Sequence, residues 1–127
     1  MTMWERIVLL ALAGAAGTLA RVGIATLVQR LCGAGFPWGT LAVNSLGCFL
    51  FGLVWALADE RMALSYETRA IVLGGFMGAF TTFSTFAFET SGFLSESQWG
   101  FAAVNLLLQN TLGVMCVFLG FAVTRLW

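Results

Sequence analysis

Charged residues along this chain leave four long apolar runs between them. Ile7–Val28 is apolar apart from Arg21, while Thr40–Ala58, Ala70–Phe88 and Gly100–Thr124 carry no charge. A helix needs about 20 apolar residues to cross a hydrocarbon core about 30 Å thick, so each run is long enough to span. The runs are continuous rather than alternating, which argues against an outer-membrane barrel. Between them lie 29–39 with Gly33, Gly35 and Pro37, then Asp59–Arg69, then Glu89–Trp99. Such turn-forming or charged stretches suit connections at the membrane surface. The pattern predicts an all-α integral membrane protein: one four-helix domain over residues 1–127, with no separate soluble part. The first run is not read as a cleavable signal, because Glu5 stands beside Arg6 and its apolar length exceeds an ordinary signal core.

The third run predicts a helix that is not whole. Gly74-Gly75-Phe76-Met77-Gly78 is followed by Ala79-Phe80-Thr81-Thr82-Phe83-Ser84-Thr85-Phe86. Glycine costs about 1 kcal/mol relative to alanine in a helix, and threonine is also unfavourable. A break is expected near the middle, around Gly78–Thr81. Bare backbone at that depth is tolerated only where protein or a cavity satisfies it, and transporters and channels bind ions at such breaks. Just beyond it, Phe83 and Phe86 share a helical face, as either pathway or packing residues. Ser84 and Thr85 add hydroxyl donors.

Polar side chains elsewhere in the spans are costly and need a partner or a task. Thr40 and Asn44 lie four apart on the second run, beside Ser45. Asn105 and Gln109 repeat the spacing on the fourth, with Gly113 one turn later. Neutral amides supply N–H donors without burying charge, which suits a desolvated anion, although helix-to-helix hydrogen bonding is the plainer use. Arg21 is either an interfacial side chain reaching for water or a fixed charge that draws an anion into a vestibule. Small residues at Gly74 and Gly78, Ala13 and Gly17, and Gly113 and Gly120 are spaced for close helix contacts, so oligomerisation is expected.

Composition sharpens these readings by exclusion. The chain is 60% hydrophobic and 9% charged, with a mean hydropathy of +0.93, against roughly 25% charged in soluble domains. Six basic and six acidic residues cancel, leaving no electrostatic footprint for a nucleic acid. There is no histidine, hence no His-based triad or zinc-protease helix, and the chain is not expected to be an enzyme. Cys32, Cys48 and Cys116 are scattered in sequence and read as small hydrophobes. With four spans both termini share a side with the second loop. Arg6, Arg61, Arg69 and Arg125 lie there, against Arg30, and Arg21 if it reaches that way, a mild bias toward cytoplasmic termini.

Three segments together carry a family resemblance: GAAGTLAR (Gly14–Arg21), GTLAVNSLGCFLFG (Gly39–Gly52) and GGFMGAFTTFSTFAFE (Gly74–Glu89). Over essentially its whole length the chain resembles the Fluc/CrcB fluoride channels. The fourth span departs from the family's usual Tyr, Ser and Gly at four-residue steps, placing Asn105, Gln109 and Gly113 there. The resemblance implies passive, fluoride-selective export that relieves fluoride toxicity, in the inner (plasma) membrane of a bacterium. It also implies an antiparallel, dual-topology homodimer with two pores, and a structural sodium ion at its centre held by the Gly78 and Thr81 main-chain oxygens. The fluoride pathway would then use Phe83, Phe86, Asn44, Ser84, Thr85, Asn105, Gln109 and Arg21. A small proton-coupled multidrug exporter is the rival reading. It requires a carboxylate in the membrane, and only Glu89 at the edge of the third run offers one. A non-transporting assembly subunit is a third reading, with no need of the break.

Overall fold

The computed structural model describes residues 1–60 and 64–126. Arg61, part of the charge count for orientation, lies outside them. Among the described residues four spans are present: Met3–Cys32, Trp38–Asp59, Tyr66–Ser95 and Trp99–Leu126, each long and apolar enough to cross a membrane. This is a multi-pass membrane protein.

The helices outrun the apolar runs, because hydropathy marks the hydrocarbon and not the helix end. The first helix, Met3–Cys32, begins with a capping box in which Thr2 Oγ1 accepts from Glu5 N–H and Glu5 Oε2 accepts from Thr2 N–H. It stops at Gly33, whose φ of 92° is readily adopted only by glycine. The turn that follows is tied by one side chain. Gln29 Nε2 donates to the carbonyls of Gly33 and Phe36, while Gln29 Oε1 accepts from Gly39 N–H. The second helix, Trp38–Glu60, has its C-terminal end capped by Arg69, which donates to Ala58 O at 2.8 Å and lies over the Trp55 ring.

The third span is broken. A short α-helical turn, Tyr66–Arg69, leads into a π-helical stretch, Ala70–Met77, and one further turn, Gly78–Phe80. Thr81 and Thr82 are then extended, with φ/ψ of −87°/158° and −147°/112°, before helix resumes at Phe83–Ser95. The break therefore falls at Thr81–Thr82, at the end of the stretch expected to be bare, since Gly78–Phe80 still completes a turn. The segment beginning at Glu89, expected as a link, is mostly helix. Only residues 96–98 separate the third span from the fourth helix, Trp99–Val123.

Glycines set how closely the helices approach. A Cβ on Gly17 would strike the Phe76 carbonyl; one on Gly52 would meet the Val117 backbone, and one on Gly120 the backbone of Phe49, Gly52 and Leu53. Gly113 is buried, and its Cβ would lie 3.5 Å from Cys48 Sγ. Gly17, Gly113 and Gly120, spaced in the sequence for either oligomer contacts or plain helix packing, thus serve packing inside the protomer. Gly74 and Gly78 differ: both are exposed, and a Cβ at either would meet nothing closer than 3.9 Å.

Candidate functional site

The break positions the site, and two glycine contacts bring it its partners. Helix 2 reaches the break because Gly47 has no side chain; a Cβ there would collide with the Thr81 methyl and press on the Phe80 ring. One turn earlier on that helix, Asn44 meets Thr82. An extended residue shows its N–H and C=O to the same side, as in a strand pair, and the Asn44 amide engages both. Thr82 N–H donates to Asn44 Oδ1 at 2.8 Å, and Asn44 Nδ2 donates to Thr82 O at 3.1 Å. Helix 1 does the equivalent on the other side. Gly17 permits close approach, and Arg21, one turn on, donates from Nε to Ala79 O at 3.0 Å.

These bonds divide the break electrostatically. Partial negative charge gathers at the C-terminal end of the first half, 66–80, where Arg21 is seated. Partial positive charge, roughly half a unit, gathers at the N-terminus of the second half, Phe83–Ser95. Thr82 caps that N-terminus: its Oγ1 accepts from Thr85 N–H at 3.2 Å and donates to Thr85 Oγ1 at 2.9 Å, with Ser84 Oγ 3.4 Å away. In an unbroken helix Thr82 N–H would bond Gly78 O and Thr85 N–H would bond Thr81 O. Both N–H groups are diverted to side-chain oxygens.

A cleft of about 280 Å³ opens beside the break, lined among others by Asn44, Thr82, Phe83, Phe86 and Gln109. Phe83 and Phe86 meet edge to face, ring centroids 5.4 Å apart and planes at 70°. Their burial is unequal: Phe86 is 6% exposed and Phe83 77%, so Phe83 stands out from the protomer. Gln109 comes from the fourth helix, and its Oε1 accepts from Asn44 Nδ2 at 3.0 Å. Its Nε2 is buried and has no hydrogen-bond partner among the described residues.

Of the residues singled out in the sequence, the cleft gathers Asn44, Phe83, Phe86 and Gln109. Ser84 and Thr85 belong to the cap of the second half-helix, and Arg21 to the end of the first. Asn105 is fully buried one turn from Gln109, where its Nδ2 donates to Thr90 Oγ1 at 3.0 Å. One contact was not legible beforehand. Thr40 Oγ1 donates to Glu89 Oε1 at 2.6 Å, and Glu89 Oε2 is buried without a partner among the described residues. Glu89 lines clefts at that end of the protomer with Gln29 and, in one of them, Arg30. Thr40 and Asn44 sharing a face was a partial signal, but the matching position on the third span was read as the start of a link. No group of three or more His, Cys, Asp or Glu side chains placed to hold a metal ion occurs among the described residues.

A family model described as CrcB-like protein, Camphor Resistance (CrcB), matches residues 8–121. The chain belongs to the CrcB family. Among CrcB relatives, a protein of Nitrosococcus oceani is 61% identical over 98% of this chain and 99% of its own length. One from Solidesulfovibrio magneticus is 54% identical over the same shares, and one from Desulforapulum autotrophicum 49%. All three are named fluoride-specific ion channel FluC. The break, its two clamping side chains and the cleft are thus features of a CrcB chain aligned with those relatives almost end to end.

Proposed function

We propose that this protein is a fluoride-selective channel giving passive export across the inner membrane of a bacterium. The observation that carries the reading is the broken third span: a half-helix N-terminus and Gln109, whose Nε2 is buried without a partner among the described residues, border one cleft. Taking a small anion out of water costs tens of kcal/mol unless donors replace its hydration shell, and those donors must still release it. Here the donors are neutral amides, hydroxyls and a helix end, joined by aromatic edges, the positive part of the ring quadrupole. Arg21 is the one cation at the break among the described residues, and it is engaged by Ala79 O, away from the cleft lining. The relatives' printed name supplies the identity of the anion. A proton-coupled exporter is less well supported, since its single candidate, Glu89, is bonded to Thr40 outside the cleft.

The working unit is an antiparallel, dual-topology homodimer. Support comes from Phe83 standing exposed at the cleft mouth and from the outward faces of Gly74 and Gly78, which leave room for a second copy. Sodium fits the break for a separate reason. The helical donors of Gly78 O and Thr81 O go to side-chain oxygens instead, which frees two hard oxygen ligands at the break. Sodium would supply structural charge there, joining two chains.

The test is fluoride-electrode efflux from liposomes containing the purified protein, with chloride as control. Fluoride efflux above protein-free vesicles, without chloride efflux, is the expected result; its absence overturns the reading.

A further inference from the structure

We infer that Cys48 and Cys116 form a two-thiolate site for a soft divalent metal cation, and that filling it closes the cleft. Metal binding there is independent of what the cleft conducts; only the effect on flux rests on the fluoride-channel reading.

Scattered in sequence, the two cysteines are brought together by the seam between the second and fourth helices. That seam is tight because glycine lines it on both sides. A Cβ on Gly52 would meet the Val117 backbone, and one on Gly120 the backbone of Phe49, Gly52 and Leu53. Cys48 lies one turn before Gly52. Its Sγ is 3.5 Å from where a Cβ on Gly113 would stand, so the thiol points at the fourth helix. On that helix Cys116 comes three residues after Gly113 and four before Gly120. It therefore shares the stripe that both glycines mark as facing the second helix. The two sulfurs are near enough for charge on one to act on the other. Both thiols are free and half-buried, and Cys48 also lines the cleft beside Asn44, Phe83 and Gln109.

Two sulfurs alone select the metal. Thiolate prefers soft cations, and no third His, Cys, Asp or Glu joins the pair among the described residues. Zinc asks for four ligands, whereas a filled-shell ion of the mercuric kind is satisfied by two sulfurs in line. Charge narrows the choice further. On binding, each S–H bond breaks, its proton passes to water and a sulfur–metal bond forms, so two protons leave for one divalent cation. Nothing is oxidised or reduced. The product is neutral, as a membrane interior favours; a monovalent soft ion would leave a net negative charge beside an anion path. Asn44 stands one turn before Cys48 on the second helix, so the bridge pins the cleft wall next to the break and places a large ion on it.

The test uses the full chain with Cys32, exposed at the end of the first helix, replaced as Cys32→Ala so that the pair alone remains. Mercuric chloride is added, then excess 2-mercaptoethanol, and retained mercury and released protons are measured. Expected are one mercury per chain and two protons released. Retention should be at least about 100-fold stronger than in Cys48→Ala or Cys116→Ala, the gain a second tethered ligand gives. Cys48→Ser and Cys116→Ser repeat the comparison, and melting curves confirm that each variant is folded. In liposomes given the same monothiol wash, mercury should abolish fluoride efflux and excess dithiothreitol should restore it, while each single variant keeps its own efflux rate. Equal retention by the pair and the single variants overturns the site, and firm retention with undiminished efflux overturns its control of the cleft. Absence of flux in the untreated protein would remove the channel reading instead, leaving the retention measurement to decide the site.

Discussion

Asn44 is the side chain on which most of the site depends, because it replaces the backbone partners that the broken helix gives up. Asn44→Asp keeps an oxygen for Thr82 N–H but removes both donors, leaving Thr82 O and Gln109 Oε1 against a carboxylate oxygen. Each buried group left unsatisfied costs about 1–3 kcal/mol. We expect Asn44→Asp to lower the unfolding midpoint and abolish fluoride flux. Asn44→Ser, too short to serve Thr82 and Gln109 together, should also lose flux. Thermal melts and efflux on the same preparations check this. Phe86 tests a different property. Its ring is buried and edge-to-face with Phe83, so Phe86→Ile removes an aromatic edge while keeping apolar bulk. Flux should drop roughly tenfold while the oligomer persists, the size of losing about 1.4 kcal/mol of ion stabilisation; unchanged efflux would return the ring to a packing role.

At the scale of elements, the broken span is held by neighbours that come close only because of glycine. Gly17 stands one turn before Arg21 and Gly47 one turn after Asn44, so in each motif a glycine and a polar side chain work as a unit. Gly47→Val would drive a side chain into the Thr81 methyl and Phe80 ring. It should destabilise the protein by about 1–3 kcal/mol and disturb Asn44 with it. Gly17→Val meets a main-chain carbonyl, which yields less than a side chain, and should be worse. Gly92→Ala, where a Cβ meets nothing within 4 Å, is the neutral control. Melting temperatures in one detergent rank the three, and a Gly47→Val melt equal to that of Gly92→Ala would contradict the mechanism.

At the scale of the whole molecule, the outward glycines offer a test of the proposed assembly that leaves the protomer's own packing alone. Gly74→Leu and Gly78→Leu add bulk where the protomer has space. Helical content should stay constant while cross-linked dimer falls. Unchanged cross-linking would move the interface to another face. If the Gly78 and Thr81 oxygens hold sodium, the assembly should also melt higher in sodium than in an equal concentration of a bulky organic cation. The gain should be about 2.7 kcal/mol when sodium is at 100 times its dissociation constant. Equal melting in both salts would argue against the ion.

The four spans and the interruption of the third were determined by sequence alone, because hydrocarbon imposes a length on every apolar run and glycine beside threonine weakens a helix wherever it stands. The candidate residues were legible for the same reason: a polar group in a membrane must have a partner. Which partner was decided only by tertiary structure. Spacing placed Asn105 and Gln109 on one face of the fourth helix, but packing sent Asn105 to Thr90 and Gln109 to Asn44. Nothing local distinguishes Gly17, pressed on a carbonyl, from Gly78, exposed with no neighbour closer than 3.9 Å to an added Cβ. Glu89 read as the edge of a link until the second half-helix continued to Ser95 and brought it against Thr40. Periodicity specifies a direction around one helix axis. The neighbour in that direction, and which end of an amide meets it, are set by how all four spans pack.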